Sequence, residues 1–291
     1  MERPDPLAPV LVIAFNRVTH FERTLDALVR SEGSQNSEVY VCINGPRNKQ
    51  DALAGDQIFE YAISRHQAFK SLEVIRRPQN LGLAENITLA ISEIVIKHGK
   101  IIVLEDDIVV SKGFLNYMNA ALRHYEAEPK VWHISGFTMK SDTSKPNDSF
   151  AWRFMNCWGW ATWKNRWEHF SKDPQKMLTT WSPETVRRFC LDGAVPRIWR
   201  QVRSNSLQKM NTWAVFWYAT IFENDGLCVA PYYSHSKNIG LDGTGVHGGR
   251  NPRLRKMQVL NQDGVFSPVQ GLTEDAYMLE AIKAVMSPAK K

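Results

Sequence analysis

The chain has 291 residues, of which 43% are hydrophobic and 23% charged, as is ordinary for a soluble globular protein. No apolar run approaches the roughly 18 residues needed to cross a bilayer, which argues against a membrane-spanning protein. The net charge is +6, but the sequence contains no nucleic-acid-reading module, so we expect no nucleic-acid partner.

Cysteine usage and the N-terminus indicate the compartment. The four cysteines are scattered without a CxxC pair, and the first residues lack the charged-then-apolar pattern of a signal peptide. We therefore expect reduced cysteines in a cytoplasmic protein without structural zinc. The excess positive charge lies mostly in two groups, which could meet phosphates on a substrate, anionic lipid heads at the inner face of a membrane or nucleic acid, or could simply be solvated. The groups are Arg187, Arg188, Arg197, Arg200 and Arg203, then Arg250, Arg253, Arg255 and Lys256.

The first half of the chain alternates strand and helix patterns. Apolar, β-branched runs predict strands at residues 9–15, 38–43, 72–75 and 100–110, with a further strand at 131–137. Helical spacing predicts helices after Thr19, where Glu22 would complete a capping box, and at residues 50–69, 84–97 and 114–125. This alternation predicts an α/β fold with a mainly parallel, twisted sheet and helices on both faces.

The second half is rich in tryptophan, with five between residues 150 and 167. Helices are predicted at 161–170, 183–190, 211–224 and 274–286, and a strand at 227–233. Residues 238–249 form a glycine-rich loop that we expect to close over a ligand. No linker separates the halves, so we expect one compact unit with two functional regions, residues 1–138 and residues 139–291.

Polar residues follow four of the predicted strands. They are Asn16-Arg17, Asn44, the run from Arg76 to Gly82, and Glu105-Asp106-Asp107. Ligands of parallel sheets bind outside the carboxyl ends of the strands, which is where all four sets fall. Three acids after a buried strand repel one another unless positive charge lies among them, and a divalent cation with a polyphosphate would supply it. A solvated turn is the alternative.

A nucleotide diphosphate would account for this set. Arg17 and Arg76 or Arg77 could bind phosphate or stack on a base, and Asn44 could bind a base edge. Asp106 could reach a ribose hydroxyl, while Asp107 binds Mn²⁺ or Mg²⁺. The chain has no Walker motif and no GxGxxG, so a P-loop or dinucleotide fingerprint is not the means of binding.

Three segments together resemble the glycosyltransferases of the GT-A fold. PVLVIAFNR is similar to their opening strand, RRPQNLGLAEN to their N-x-G loop, and VLEDDIVVSKGFLNYM to their acidic motif. The likeness covers roughly residues 8–250 and is greatest to bacterial family 2-type sugar transferases and inverting N-acetylglucosaminyltransferases with a Glu-Asp-Asp motif. The resemblance implies a donor site of Asn16, Arg17, Asn44, Arg76, Asn80, Gly82, Glu105 and Asp106, with Asp107 as the metal ligand.

The resemblance also implies that residues 1–138 bind the nucleotide sugar and that residues 139–291 face the acceptor. Trp158, Gly159 and Trp160 would shape the pocket for the acceptor and the donor sugar, and His247 would be a further metal or diphosphate ligand. An inverting transferase needs a carboxylate base, but residues 212–217, where related enzymes carry it, contain no acid. Glu168, Asp192, Glu223 and Asp242 remain open, and Asp242 is the candidate retained.

The sequence thus predicts a metal-dependent transferase of hexosyl or N-acetylhexosaminyl groups. It would move a sugar, with inversion, from a nucleotide diphosphate-sugar to a glycan or lipid-linked acceptor in the assembly of bacterial surface polysaccharide. Two alternatives stay open: a sugar-phosphate nucleotidyltransferase, and a non-catalytic protein of the same fold that binds carbohydrate or nucleotide sugar.

Overall fold

A computed structural model of the chain describes residues 6–243 and 260–287. Its strands are β1 (Val10–Ala14), β2 (Glu38–Ile43), β3 (Ser71–Arg76), β4 (Lys100–Glu105), β5 (Ile108–Val110), β6 (Val131–Ser135), β7 (Ser149–Trp152), β8 (Trp160–Trp163), β9 (Leu227–Pro231) and β10 (Ser236–Asn238). Its α-helices are α1 (Val18–Val29), α2 (Lys49–Ser64), α3 (Gly82–His98), α4 (Phe114–Tyr125), α5 (Lys164–Trp167), α6 (Pro174–Thr180), α7 (Pro183–Phe189), α8 (Arg197–Ser206), α9 (Ala214–Glu223) and α10 (Ala276–Met286).

Eight of these strands form one sheet in the order β3-β2-β1-β4-β8-β6-β9-β7. Strands β1 to β4 pair in parallel, and so do β6 and β9, whereas β8 runs antiparallel between β4 and β6. Strand β7 closes the far edge antiparallel to β9. The predicted α/β fold with a mainly parallel sheet is confirmed.

Alternating strand residues face two separate cores, as a sheet buried on both faces requires. Val10, Val12 and Leu104 lie in one core, which α1, α2 and α4 cover. Leu11 and Val103 lie in the other, which contains α3, α9 and most of the tryptophans. Helices therefore flank the sheet on both faces, as predicted.

The sheet does not stop at residue 138. Strands β7, β8 and β9 come from the second half of the chain and share the sheet with β1 to β4. The division of labour between residues 1–138 and 139–291 stays a prediction.

Two local predictions were wrong. Helix α1 begins at Val18 with no side-chain cap, so Thr19 lies inside the helix and the capping box does not form. Residues 160–163 form strand β8 where a helix was predicted, and only the turn α5 follows. β8 lies between β4 and β6 and forms backbone hydrogen bonds with both, and this tertiary pairing overrides the local pattern.

A small second sheet carries the segment after the acids. Strand β5 pairs antiparallel with β10, and the N–H of Ile239 donates to the carbonyl of Asp107 at 2.9 Å. The first residues of the glycine-rich loop are thereby tied to the end of β4. In the described ranges no helix combines the length and the apolar content needed to cross a membrane. All four cysteines are free thiols.

Candidate active site

The acids after β4 lie beside Arg17 at the carboxyl ends of β1 and β4. Ile13 and Glu105 are partners in the parallel register of these strands, so the residues that follow them leave the sheet at the same edge. Arg17 Nη1 donates to Asp107 Oδ2 at 2.6 Å and lies 3.8 Å from Asp106 Oδ1. The positive charge that the acids require is therefore supplied in part by the chain itself.

Asp242 joins this group from the loop after β10. Its Oδ1 lies 3.8 Å from Arg17 Nη2, and its Oδ2 lies 3.0 Å from His20 Nε2. A Cβ on Gly240 would lie 2.0 Å from Asp107 Oδ2, so a larger residue there would require the side chain of Asp107 to move. We call Arg17, Asp106, Asp107 and Asp242 the strand-end cluster.

Burial and mutual repulsion raise the pKa values of Glu105, at the end of β4, and of Asp106, which follows it. Burial raises the pKa of Glu105 to about 8, with Asp107 and Asp106 adding to the effect and Arg17 opposing it. Burial, followed by Asp107, raises the pKa of Asp106 to about 7. Carboxyl groups whose pKa values are raised this far are typical of sites that bind a cation or transfer a proton.

The loop from residue 76 to 82 lies against the end of β2. The side-chain oxygen of Asn44 accepts hydrogen bonds from the N–H groups of Gly45 and Leu81, both at 3.0 Å. Asn80 Nδ2 donates to the carbonyl of Gly45 at 2.7 Å, and Asn80 Oδ1 accepts from the N–H of Gly82 at 3.1 Å. Asn44, Asn80 and Gly82, three of the residues predicted to bind the nucleotide sugar, are thus neighbours.

Two other predicted donor residues have partners of their own. Asn16 Nδ2 donates to Asp51 Oδ1 at 2.7 Å, and the Arg47 guanidinium, aided by Asn16, lowers the pKa of Asp51 to about 2. Arg76 leaves β3, two strands from β1, and its half-exposed guanidinium bonds Asp56 Oδ1 at 2.5 Å. The structure does not bring Arg76 to the strand-end cluster.

The segment from Cys157 to Trp160 divides at Gly159. The carbonyl of Trp158 accepts a hydrogen bond from Ser236 Oγ at 2.5 Å, and the Trp158 ring, which is partly exposed, lies 4.6 Å from Phe137. Gly159 has φ of 78°, a conformation that favours glycine. Burial raises the pKa of the Cys157 thiol, and Glu105 and Asp107 add to this, which indicates that the segment lies near the acids.

Trp160 lies in the core instead. Its side chain has no exposed area, and its ring stacks on His133 at 5.0 Å and on Trp213 at 5.4 Å. With Trp167 and Trp217 these residues form what we call the tryptophan cluster. Complete burial goes against the predicted contact between Trp160 and a sugar, because no face of the ring is open to a ligand.

The other open candidates for the base lie away from the cluster. Residue 100 at the start of β4 pairs with residue 163, so Glu168 follows β8 at the opposite edge of the sheet. Asp192 pairs with Arg153 and Lys283, and Glu223 accepts from Trp181 Nε1 at 3.0 Å. Of the four candidates, Asp242 is the one that reaches the strand-end cluster.

The side chains at this site suit a cation that binds together with a diphosphate better than a cation held by protein groups alone. Within residues 6–243 and 260–287 no three His, Cys, Asp or Glu side chains are grouped to hold a metal ion. Asp107 nevertheless offers a carboxylate that is 16% exposed, and Mg²⁺ commonly binds through one or two carboxylates plus substrate phosphates. His247, the second predicted ligand, lies outside the described residues, as does the basic group from Arg250 to Lys256.

Sequence reasoning missed three residues at this edge: His20, Asp51 and Gly240. His20 follows Arg17 by three positions near the start of a helix, so its place beside Arg17 could have been inferred. Asp51 and Gly240 gave no such signal, because their contacts with Asn16 and Asp107 bridge distant parts of the chain.

Comparison with known proteins gives a family and several relatives. The family model described as "GNT-I family" matches residues 1–198. The alpha-1,3-mannosyl-glycoprotein 2-beta-N-acetylglucosaminyltransferase of Arabidopsis thaliana is 23% identical over 187 residues, which cover 60% of this chain and 42% of that protein. The chain therefore spans well under two thirds of this relative's length.

Two solved structures are similar in part. The mannosyltransferase PcManGT from Pyrobaculum calidifontis, in complex with GDP-Man and Mn²⁺, is 14% identical with a TM-score of 0.42, covering 77% of this chain and 73% of that one. TarS 1-349 from S. aureus is 9% identical with a TM-score of 0.48, covering 79% and 60%.

Proposed function

The chain belongs to the GNT-I family, and from this premise we propose that it is a glycosyltransferase that uses a nucleotide diphosphate-sugar. The acceptor is a glycan or a lipid-linked sugar, and the group transferred is a hexosyl or N-acetylhexosaminyl group. The observation that carries the proposal is the strand-end cluster, where Arg17, the two aspartates after β4 and Asp242 converge at the carboxyl ends of parallel strands.

In this proposal the donor lies across the ends of β1, β2 and β4. Asn44, with Asn80 and Gly82 beside it, faces the nucleoside, while Asp106 accepts a hydrogen bond from a ribose or sugar hydroxyl. Arg17 bonds Asp107, so it is suited to exchange that bond for one with a phosphate oxygen. In this proposal Glu105 and Asn16 hold the neighbouring donor-binding residues in position.

Asp107 would hold the metal, Mn²⁺ or Mg²⁺, together with the diphosphate, and His247 is the second proposed ligand. The ion, when bound, would neutralise negative charge on the leaving nucleoside diphosphate. The chain's own contribution is to fix the donor and to keep water away from it.

For an inverting transfer we propose Asp242 as the base that accepts the proton of the acceptor hydroxyl. His20 Nε2 lies 3.0 Å from Asp242 Oδ2, whereas Oδ1 is the oxygen nearer Arg17, and this contact orients the carboxylate. The partly exposed ring of Trp158 is retained as a sugar contact, with Gly159 positioning it. The setting proposed is bacterial surface polysaccharide assembly in the cytoplasm, at the inner face of the membrane, in line with the bacterial sugar transferases that the sequence resembles.

Thermal-shift measurements with a panel of nucleotide sugars, with and without Mn²⁺, test the donor. A ligand at 100 times its Kd stabilises the folded state by about 2.7 kcal/mol, which such an assay detects readily. We expect one nucleotide sugar to raise the melting temperature more with Mn²⁺ than without it. If none of the panel does so, the proposal is wrong.

The helix α9 carries no acid in its first turn, an observation that favours a second candidate, a binding protein without turnover. Donor binding with no release of nucleoside diphosphate across many acceptors would support that candidate. Release of pyrophosphate from a nucleoside triphosphate and a sugar phosphate would instead indicate a nucleotidyltransferase.

A further inference from the structure

The structure divides the first basic group of the sequence into two parts. The two arginines of α7 are paired with surface acids, Arg187 with Glu184 at 2.8 Å and Arg188 with Asp225 at 3.6 Å. The three arginines of α8 form no ion pair within residues 6–243 and 260–287. We call these three side chains the α8 arginine face: Arg197, Arg200 and Arg203.

The α8 arginine face is a single stripe along the helix. Its members recur at three-residue spacing, which places them on one side of α8, and all three are exposed. The other side of the helix is buried, since Ile198 and Val202 belong to the core that contains the tryptophans. Leu207 follows Arg200 by seven residues, so it continues the stripe, and it is 63% exposed. The helix is therefore held by its apolar side and presents three arginines and a leucine to solvent.

Among the described residues, no carboxylate lies at ion-pair distance from this positive charge. Helix α8 contains no acid, and it packs mainly against α6, α7 and α9. The acids on these neighbours have other partners, because Glu184 bonds Arg187. Glu223 accepts a hydrogen bond from Trp181 Nε1 at 3.0 Å. Like charges at this spacing repel one another, and an anionic surface against the stripe would remove that repulsion.

The chemistry of the stripe favours anionic lipid headgroups over other anions. Guanidinium groups bind phosphate oxygens through two parallel hydrogen bonds. A helix rises 1.5 Å per residue, so the stripe is about 9 Å long, and it lies on the convex side of a helix, which suits a flat array of headgroups. Leu207 at its end can enter the boundary between headgroups and acyl chains, whereas a nucleic acid offers it no apolar contact.

We propose that the α8 arginine face docks the protein on a membrane surface that contains anionic phospholipid. The inference rests on the proposed setting at the inner face of a membrane and names the surface that makes the contact. The three arginines bind lipid phosphates, and Leu207 inserts between the headgroups. A lipid-linked acceptor would lie in the same bilayer, so docking would bring the enzyme and this acceptor together.

The test uses the full chain without any nucleotide sugar. It measures co-sedimentation with vesicles of phosphatidylcholine alone and of phosphatidylcholine with about one third phosphatidylglycerol. We expect binding to the anionic vesicles only. Binding should weaken when the NaCl concentration is raised from about 0.05 M to about 0.5 M, because salt screens exposed charges.

The decisive variant replaces the α8 arginine face with glutamine: Arg197→Gln, Arg200→Gln and Arg203→Gln. Each basic residue near an anionic membrane increases binding about fivefold, so this variant should bind the anionic vesicles roughly 100-fold more weakly. Leu207→Ser should weaken binding about threefold with the same salt dependence, because it removes apolar contact and no charge.

A matched control removes the same charge elsewhere. It changes three other exposed arginines that form no ion pair in the described part of the chain: Arg23→Gln, Arg30→Gln and Arg123→Gln. This control should bind the vesicles nearly as well as the unchanged chain. Both triple variants should keep the melting temperature of the unchanged chain within a few degrees, because exposed substitutions have small effects on stability.

Three results would show that the lipid assignment is wrong. They are no binding to anionic vesicles, equal loss of binding in the two triple variants, and binding to heparin, a soluble polyanion, as tight as binding to the vesicles. Stabilisation of the α8 variant by nucleotide sugars, measured separately, should equal that of the unchanged chain. Vesicle binding without nucleotide-sugar binding would uphold the docking surface while the glycosyltransferase function fails alone, and the reverse result would overturn the docking surface alone.

Discussion

The strand-end cluster and the tryptophan cluster both stood out in the sequence as candidate ligand sites, yet they have different surroundings. The cluster around Arg17 and Asp107 keeps its charged groups partly exposed at the edge of the sheet. The cluster around Trp160 is closed, and its one polar ring, His133, is fully buried. Charged side chains at the end of a strand therefore remain accessible to a ligand, whereas large aromatic side chains are usually buried in the core.

The largest effect on stability is expected inside the tryptophan cluster. Trp160→Ala removes a fully buried indole and should lower the free energy of unfolding by about 3–5 kcal/mol. Denaturant unfolding measures this. Trp160→Phe, which should lose less and remain folded, is expected to bind the donor normally. A specific loss of sugar binding in folded Trp160→Phe would restore the contact role that its burial argues against.

The largest effect on activity is expected in the strand-end cluster. Asp107→Asn should lower transfer roughly 100-fold, about 2.7 kcal/mol, because the carboxylate that would share the metal with the diphosphate is gone. Release of nucleoside diphosphate from the donor identified by thermal shift is the assay. Asp225→Asn is a suitable control, since Asp225 is strongly exposed in the turn after α9 and is not part of the strand-end cluster. Transfer that survives both Asp107→Asn and EDTA would contradict the metal role.

Buried histidines should make stability depend on pH. Burial lowers the pKa of His133 to about 3 and that of His235 to about 4. The unfolded chain therefore binds protons that the folded chain does not, so stability is complete above about pH 6.5 and falls as the pH drops towards 4. We expect each histidine to contribute a loss of about 2 kcal/mol between pH 7 and pH 5.

Urea midpoints across that range, measured for the unchanged chain and for His235→Phe, check this expectation. Phenylalanine keeps a ring to stack on Tyr117, which lies 4.5 Å from His235, but it cannot titrate. His66→Gln, at an exposed position, is the control. Equal pH dependence in the unchanged chain and in His235→Phe would show that His235 is not the group responsible.

The smallest effect is expected at Arg76. Its guanidinium is 48% exposed and pairs with Asp56 on the surface, so Arg76→Ala should change the KM of the donor by less than about threefold. Arg17→Ala, measured beside it, should raise that KM far more. A comparable increase for the two variants would bring Arg76 back into the donor site.

Much of the architecture could be read from the sequence, because it depends on short-range patterns. Runs such as residues 10–14 and 101–104 are apolar at every position, as strands buried on both faces must be, and the alternation with helices implies a parallel sheet. Such a sheet brings its strand ends together, and this is why Arg17 and the acids after β4 could be expected to meet.

What only the tertiary structure decided depends on contacts between distant parts of the chain. Residues 160–163 became a strand because two neighbouring strands offered hydrogen bonds, and this turned Trp160 into the core. Asp242 reached Arg17 because β10 pairs with β5 across more than a hundred residues. Short-range sequence patterns determine the order of strands and helices along the chain, whereas packing decides which of their side chains stay open to a ligand.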